Sequence, residues 1–409
     1  MTRRKAKRPW PWVTITKKGE LALRGGHPWV YAGEVIEVNG AADGGLCDVM
    51  GQGQRYLGTG FYNSNSLLRV RVFSDNANDQ FDDAFWRRRM QYAVSYRQRV
   101  MGEGFSSCRL VYGDADGLPG LTVDKFEDML VAQVMCLGID FIKEKLLGLL
   151  CEVLAGQGVS IRAVYERSEG ALRQKEGLAD VSGFLPLGTS RGQVQDNTVI
   201  ITENGIKYRV DIAEGQKTGF FLDQKYNRLA TAQLAQGLTV LDCFTHTGAF
   251  ALNCLKHGAQ FVTCVDASQE ALDRAQENAV LNGMEDRISF VRADALQWLP
   301  QQQKQTYDMV ILDPPAFAKK RTAAANAFNG YRDINRAGLM LLKRGGFLAT
   351  ASCSHHMPRE QFLRAVQQAA QATGLRLKQI AALGAAPDHP VLLGVPENEY
   401  LKFYLFQAV

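Results

Sequence analysis

Residues 241–250 read Leu-Asp-Cys-Phe-Thr-His-Thr-Gly-Ala-Phe, and this stretch decides the fold of the carboxyl-terminal half of the chain. An apolar run ends at Asp242, a short turn follows, and a helical segment begins after Gly248. Ligands of open α/β sheets bind outside the carboxyl ends of the strands, so we expect a ligand at this turn. The closely spaced glycines of G-x-G-x-x-G, which let a backbone approach a pyrophosphate, are missing. The turn therefore favours a nucleoside ligand without a phosphate over a dinucleotide.

Strand-like and helical segments alternate on both sides of this turn. After a hairpin near 198–213, apolar runs with helical segments between them occur at 238–243, 261–265, 288–292, 307–312 and 346–352. This alternation predicts an α/β fold with a parallel sheet covered on both faces. The prolines and the glycine between residues 387 and 396 do not suit a crossover helix, so the final strand at 400–407 is predicted to return antiparallel. Such a sheet is typical of the Rossmann-like class I methyltransferases, whose cofactor is S-adenosylmethionine.

Acids at three successive strand ends define the predicted cofactor site. Asp242 is placed near the positive amino group of S-adenosylmethionine, and Asp266 near its ribose hydroxyls. Asp294 is placed near the adenine amine, and Phe244 and Gly248 complete the site within the turn. Each acid alone could be an ordinary loop residue. Three acids in the same position are hard to explain by stability, and together they predict the ligand.

Two further strand ends predict where a base would react. Residues 313–317 read Asp-Pro-Pro-Ala-Phe, and the two prolines force an extended turn. Asp313 can bond a ring nitrogen and an exocyclic amine, and Phe317 can stack on a base that has left its helix. Cys353 follows the next strand and is a candidate nucleophile. Alternatively, the prolines mark only a strand stop, and a cysteine at a strand end is structural.

The first 75 residues differ from the rest in charge and pattern. They carry eleven lysines and arginines against six acids, so the net charge of +5 is concentrated here. Short alternating apolar stretches separated by turn signals predict a small β-barrel, and an α+β unit follows it up to about residue 190. The basic cluster at residues 3–8 suits phosphate contacts, but a solvated tail explains it equally well.

The composition excludes several classes of protein. Hydrophobic residues make up 46% and charged residues 22% of the 409 residues, which is ordinary for a globular protein. No apolar run approaches a membrane span and no signal peptide is evident, so we expect a cytoplasmic protein without a membrane partner. The eight cysteines form no C-x-x-C pair, and the histidines lack metal ligands at supporting spacing, so no metal site is expected.

Six stretches spread over nearly the whole chain resemble the ribosomal RNA large subunit methyltransferase I family, which makes 5-methylcytosine in large-subunit ribosomal RNA. Residues 18–30 are similar to the start of its PUA RNA-binding domain, and residues 116–124 to its central domain. Residues 214–224 read Glu-Gly-Gln-Lys-Thr-Gly-Phe-Phe-Leu-Asp-Gln and resemble the entry to its catalytic domain. The other matches lie at 313–315, 352–355 and 388–390. Their order is specific for the family and less specific for one target nucleotide.

The resemblance implies three domains: a PUA-like domain over 1–76, an α+β central domain over 77–190 and a methyltransferase domain over 191–409. It implies that Cys353 is the nucleophile and that large-subunit ribosomal RNA is the partner, with a homodimer as a candidate assembly. RNA contacts are expected from Lys17, Lys18, Arg24, His27, Trp29 and Phe317. Many RNA cytosine-C5 methyltransferases carry a second cysteine directly after Pro-Pro. Ala316 stands there, so a release step by a second cysteine is unsupported, and the base that removes the C5 proton is unidentified.

Two other functions fit parts of the sequence. Enzymes that methylate an exocyclic amine have a similar Asp-Pro-Pro motif followed by an aromatic residue, although Phe317 stands one place later than in that pattern. An RNA-binding assembly factor without catalysis is the other alternative. Four intact residues argue against it, namely Asp242, Gly248, Asp266 and Asp313. A cofactor titration distinguishes the two classes. The missing glycines and the final hairpin disfavour a nicotinamide dehydrogenase.

Overall fold

The computed structural model describes residues 8, 10–194, 196–317 and 324–409. The chain divides into two compact units. The first contains the described part of residues 1–199 together with 210–220 and 387–398. The second contains the described part of residues 221–386 together with 200–209 and 399–409. Every helix in the described ranges is too short or too polar to span a membrane.

A six-stranded sheet in the first unit holds the amino-terminal residues. In the order β2-β6-β5-β4-β1-β3 it contains strands β1 (Trp12–Ile15), β2 (Trp29–Tyr31), β3 (Val35–Asn39), β4 (Leu46–Gly51), β5 (Arg55–Tyr62) and β6 (Leu68–Ser74). Val13, Ile15 and Val70 are buried in its apolar core. Helix α1 (Lys17–Arg24) begins where the Thr16 hydroxyl accepts a hydrogen bond from the Gly19 amide at 3.3 Å. The alternating pattern does not predict α1, because its eight residues are too few to display a helical period.

A five-stranded mixed sheet with helices forms the rest of the first unit. Its elements are α2 (Asp83–Met101), β7 (Ser107–Tyr112), β8 (Leu121–Phe126), β9 (Met129–Val134), α3 (Leu137–Ala155), β10 (Ala163–Ser168), α4 (Ala171–Lys175) and β11 (Val181–Leu185). The strand order is β11-β10-β9-β8-β7, and only β9 and β10 run parallel. The segment 387–398 joins this unit through Asp388, whose carboxylate accepts from the Arg109 amide at 2.8 Å. The predicted α+β arrangement is confirmed.

A seven-stranded sheet forms the second unit. A two-stranded sheet of β12 (Thr198–Glu203) and β13 (Ile206–Asp211) precedes it in the chain. The second unit contains α5 (Lys225–Ala232), β14 (Thr239–Cys243), α6 (Ala249–Lys256), β15 (Phe261–Asp266), α7 (Gln269–Leu281), β16 (Ile288–Arg292), α8 (Ala295–Trp298), β17 (Tyr307–Leu312), α9 (Ala324–Leu341), β18 (Leu342–Ser352), α10 (Arg359–Thr373), β19 (Leu377–Leu383) and β20 (Lys402–Ala408). The strand order is β16-β15-β14-β17-β18-β20-β19.

The direction of the last strand is as predicted. Strands β14 to β18 run parallel, whereas β20 is antiparallel to both β18 and β19. The strand order reverses between β14 and β17, because the chain extends from β14 through β15 to β16 and then returns to the other side. Loops that follow β14 and β17 diverge at such a point and leave a crevice. The turn after Asp242 and the Asp313 loop both lie there.

Candidate active site

Asp242 is a buried carboxylate at the end of β14. Its Oδ2 accepts hydrogen bonds from the Thr245 hydroxyl at 2.6 Å and from the Ala251 amide at 3.2 Å. Its buried Oδ1 has no hydrogen-bond partner among the described residues. Burial raises the pKa of Asp242 to about 7, and the charges of Asp313 and Asp266 add to this shift. A carboxylate with one unsatisfied buried oxygen is suited to an incoming cationic or N–H donor.

The turn after β14 has an unusual backbone. Phe244 and His246 have φ angles of 62° and 51°, in the left-handed region that non-glycine residues rarely adopt. The His246 amide donates to Asp266 Oδ2 at 2.9 Å, and the Phe244 amide donates to the Val265 carbonyl at 2.8 Å. These bonds fix the turn against the end of β15. Residues held in sparsely populated backbone conformations cluster at ligand sites, so the turn is a candidate for contact with a ligand.

Gly248 completes the turn and precedes α6. Its φ is +76°, and a Cβ at this position would lie 3.1 Å from the Cβ of Ala275 on α7. The position therefore favours glycine for two local reasons, the left-handed backbone and the close approach of α7. The approach of a ligand to this turn, which the sequence predicts, would be a third reason for glycine at position 248.

Asp266 and Asp294 follow the next two strands. Asp266 is half-buried, and its two oxygens accept from the His246 and Ser268 amides, each at 2.9 Å. Asp294 is exposed and caps α8, where its Oδ1 accepts from the Leu296 amide at 2.9 Å. Both carboxylates therefore have a local structural role at a strand end. A carboxylate oxygen accepts more than one hydrogen bond, so these bonds leave acceptor capacity for a ligand.

Asp313 is oriented by a chain of amides that the sequence pattern did not single out. Gln224 Nε2 donates to Asp313 Oδ2 at 2.8 Å, and Asn227 Nδ2 donates to Gln224 Oε1 at 2.6 Å. Asn227 also donates to the Gly384 carbonyl at 3.0 Å. Because Gln224 accepts at its oxygen, its amide nitrogen must face Asp313. The signal available in the sequence was the position of Gln224 at the end of the motif at 214–224.

Phe317 is half-buried and packs against α9. Its ring centroid lies 4.8 Å from that of Tyr331 in an edge-to-face arrangement, and its ring also approaches Gly330. Part of this aromatic surface is therefore already used in packing.

Cys353 directly follows β18 and is half-buried. The strand pairing places Leu312 of β17 beside Thr350 of β18, so Asp313 and Cys353 both lie at the carboxyl end of adjacent strands. Burial raises the pKa of seven thiols, those of Cys47, Cys108, Cys136, Cys151, Cys243, Cys254 and Cys264. These seven groups are held as unreactive thiols, because the thiolate is the nucleophilic form.

The predicted RNA contacts of the first unit lie on and after α1. Lys17, Lys18 and Arg24 are exposed, and Lys18 Nζ lies 3.6 Å from Glu34. His27 and Trp29 are half-buried, with rings 5.1 Å apart, and the Trp29 indole donates to Asp114 at 3.1 Å.

The basic tail was also a candidate RNA contact. Its cations at positions 3, 4, 5 and 7 lie outside the described residues. Arg8 is described, and its Nε donates to Asp48 at 2.6 Å while Nη2 donates to Thr59 at 3.0 Å. Arg8 therefore has a structural role in the amino-terminal sheet.

Comparisons with known proteins give a consistent family. The profile of an S-adenosylmethionine-dependent methyltransferase family matches residues 191–394, and a PUA-like domain profile matches residues 13–75. The chain is 36% identical over 398 residues to the ribosomal RNA large subunit methyltransferase I of Klebsiella pneumoniae, covering 96% of this chain and 97% of the relative. It is 38% identical over 388 residues to the protein of the same name in Shewanella amazonensis, covering 94% and 96%.

Solved structures have the same fold. A Streptococcus mutans protein assigned as an S-adenosylmethionine-dependent methyltransferase superposes with a TM-score of 0.80 at 20% identity, over 97% of this chain and 99% of that one. A protein assigned as a methyltransferase and crystallised with SAH superposes with a TM-score of 0.81 at 20% identity, over the same shares of the two chains. The predicted Rossmann-like fold with a PUA-like domain is confirmed.

Proposed function

Because the chain belongs to the ribosomal RNA large subunit methyltransferase I family, we propose that it methylates a base of large-subunit ribosomal RNA and that the product is 5-methylcytosine. The observation that carries this choice of product is the placement of Asp313 and Cys353 at the carboxyl ends of adjacent strands. One group can bind the polar edge of a cytosine while the other adds to its ring.

The cofactor is S-adenosylmethionine, and the crevice beside β14 suits it. When bound, S-adenosylmethionine supplies a methyl group on a positively charged sulfonium. In our proposal Asp242 holds its amino group, because Asp242 Oδ1 is buried and lacks a partner among the described residues. Asp266 accepts from the ribose hydroxyls and Asp294 from the adenine amine. Phe244 and Gly248 bound the crevice at the turn.

Asp313 is proposed to recognise the cytosine. Its carboxyl group would bond the exocyclic amine and, when protonated, stabilise charge at N3 during the addition. The chain from Asn227 through Gln224 fixes the plane of that carboxyl group. Phe317 would contact the base with the part of its ring that α9 does not cover.

Cys353 is proposed to activate the ring. C5 of cytosine is a weak nucleophile until a thiolate adds at C6. The Sγ–C6 bond forms, and the electron pair of the C5=C6 double bond becomes available at C5, which takes the methyl group. A base then removes the C5 proton, the double bond reforms, and the thiolate leaves with its electron pair.

The first unit is proposed to bind the RNA. Its PUA-like region would contact phosphates through Lys17, Lys18 and Arg24, with His27 and Trp29 beside them. The division at residues 76 and 190, the cytoplasmic location and the homodimer stay predictions. Sedimentation of the purified protein tests the homodimer.

Cys353→Ala tests the proposed function. We expect loss of 5-methylcytidine formation on large-subunit RNA from a strain lacking the enzyme, with cofactor and RNA affinity unchanged. Cys151→Ala is the control, because Cys151 is the other partly exposed cysteine. RNA with 5-fluorocytidine at the target should form a covalent adduct with the wild type, because fluorine cannot leave as the proton does.

The outcomes distinguish the alternatives. Normal turnover by Cys353→Ala, or an N-methylated nucleoside in the digest, would assign amine methylation instead. Wild-type protein that binds RNA but neither binds the cofactor nor methylates would be an assembly factor.

A further inference from the structure

Lys402 is a buried cation whose charge acts on Cys353. It is the first residue of β20 and pairs in register with Ser352, the residue before Cys353. Its side chain is 3% exposed, and its Nζ donates to the Ser354 carbonyl at 2.7 Å and to the Tyr400 carbonyl at 2.8 Å. The ammonium is thus anchored to the backbone carbonyl of the residue that follows Cys353. An ammonium has three donors, and these two bonds use two of them.

Glu399, the acid whose charge acts on Lys402, is itself paired with another cation. Within the described residues Lys402 forms no ion pair, and the nearest acid along the chain, Glu399, accepts from Arg359 Nη2 at 3.0 Å. Burial lowers the pKa of Lys402 to about 8, and the negative charge of an ionised Cys353 opposes this shift. The positive charge of Arg359 also lowers the pKa of Lys402, and the negative charge of Glu399 raises it. Burying a cation without an ion-pair partner costs free energy. We therefore expect an anion to form beside Lys402.

Other titratable groups surround Cys353. Tyr331 on α9 has its hydroxyl 3.1 Å from Ser354 Oγ, and burial raises its pKa, so it stays neutral. Asp313 lies at the end of the neighbouring strand β17 and would oppose a thiolate. His355 is exposed, and its ring centroid lies 5.5 Å from that of Tyr400. None of these three groups is a buried cation, whereas Lys402 is one.

We propose that Lys402 is a positioning residue whose ammonium holds Cys353 in the thiolate form. The inference rests on the proposed role of Cys353 as the nucleophile. The thiol proton passes to solvent, the sulfur keeps the electron pair, and the adjacent ammonium compensates the charge. The same cation compensates the thiolate again when it leaves C6. An RNA phosphate is not the partner of this ammonium, because a side chain that is 3% exposed does not reach one.

The pH dependence of Cys353 alkylation tests this role without RNA or cofactor. Iodoacetamide labelling of the peptide that contains Cys353 is followed by mass spectrometry between pH 5 and pH 10. We expect the apparent pKa of Cys353 to rise by about one unit or more in Lys402→Met, because a neighbouring cation favours the thiolate. The labelling rates of the wild type and Lys402→Met should differ most below about pH 8. They should converge at the pH where Cys353 is ionised in both proteins. Lys402→Arg keeps the charge and should retain the wild-type profile.

Lys343→Met is the matched control. Lys343 lies near the other end of β18, where its Nζ pairs with Asp308 at 2.9 Å, so its loss should leave the labelling profile unchanged. The proposal is overturned if Lys402→Met folds, binds S-adenosylhomocysteine normally and alkylates with the wild-type profile. If Lys402→Met does not fold, the wild type decides: an apparent pKa for Cys353 at or above the ordinary value of about 8.5 overturns the proposal. Turnover by Cys353→Ala would refute the nucleophile itself, a separate result.

Discussion

At the scale of single residues, the proposed cofactor site contains three carboxylates whose surroundings differ. Asp242 is buried, and its pKa is raised to about 7. Asp266 and Asp294 lie nearer the surface and accept hydrogen bonds from backbone amides. Ionising Asp242 in the unliganded protein is therefore costly near neutral pH. A cationic ligand group removes that cost, which couples ligand binding to the release of a proton.

This coupling predicts a pH-dependent affinity. S-adenosylhomocysteine should bind about tenfold more tightly at pH 8 than at pH 6, because a group with a pKa of about 7 is mostly ionised only at the higher pH. Calorimetry at the two pH values measures the ratio. Asp242→Asn should bind more weakly with little pH dependence. Equal wild-type affinities at pH 6 and pH 8 would contradict the role of Asp242.

The same shift has a consequence for stability. The folded-state pKa of Asp242 lies above its unfolded value, so the folded protein holds this proton more tightly. The contribution of Asp242 to the free energy of unfolding is therefore complete below about pH 4 and is lost as the pH rises through about 7. We expect the thermal midpoint of unliganded Asp242→Asn to exceed that of the wild type at pH 8 but not at pH 4.

At the scale of elements, the turn between β14 and α6 combines tight packing with a proposed contact to the cofactor. Gly248 has a left-handed backbone and lies against Ala275 on α7. Gly248→Ala should lower the stability by about 1–2 kcal/mol for the backbone alone. The contact at 3.1 Å should add about 1–3 kcal/mol, because the packed helix must shift.

Comparison with Gly237→Ala isolates the contribution of the contact with α7. Gly237 also has a left-handed φ, +73°, but no atom lies within 4 Å of its added Cβ. Urea unfolding of both variants measures the difference, and calorimetry should show weaker S-adenosylhomocysteine binding only for Gly248→Ala. Equal losses of stability would mean that α7 yields easily at this contact.

The short segment before α5 positions Asp313. Gln224→Leu removes the donor to Asp313, and we expect kcat to fall roughly 10- to 100-fold, since a hydrogen bond to a charged group is lost. The affinity for S-adenosylhomocysteine should not change. Gln233→Leu places the same substitution at the exposed end of α5 and should leave kcat unchanged. A normal kcat in Gln224→Leu would show that Asp313 does not need this support.

At the scale of the whole molecule, the sequence predicted what is encoded locally. Strands β14 to β17 could be predicted because apolar runs, acids and turn residues follow one another within a few positions. Gln224 and Asp313 are 89 residues apart, and Ser354 and Lys402 are 48 apart, so neither contact leaves a local pattern. Helix α1 was missed because it is held by one cap and tertiary packing, not by a long period. The roles of the site residues therefore stay predictions, while the family and fold are established.

RNA affinity should depend on the exposed cations of the first unit. Lys17, Lys18 and Arg24 lie on α1, and each phosphate contact that is removed should lower the slope of log K against log salt by about 0.7–0.9. We therefore expect the triple alanine variant to bind large-subunit RNA more weakly at low salt and with a flatter slope. Binding of S-adenosylhomocysteine should be unchanged, because the residues proposed to bind it belong to the second unit.

A test of the basic tail must leave Arg8 in place. Arg8 contacts Asp48 and Thr59, so deletion of residues 1–8 would disturb the amino-terminal sheet as well as remove charge. Deletion of residues 1–7 removes four cations and keeps these contacts, and a flatter slope would assign the tail to phosphate binding. The α1 variant and the tail deletion share one control. It is alanine substitution of three exposed cations of the second unit, Arg364, Arg376 and Lys378. If these substitutions flatten the slope as much as those on α1, the affinity reflects net charge, and a specific phosphate-binding role for the PUA-like region is wrong.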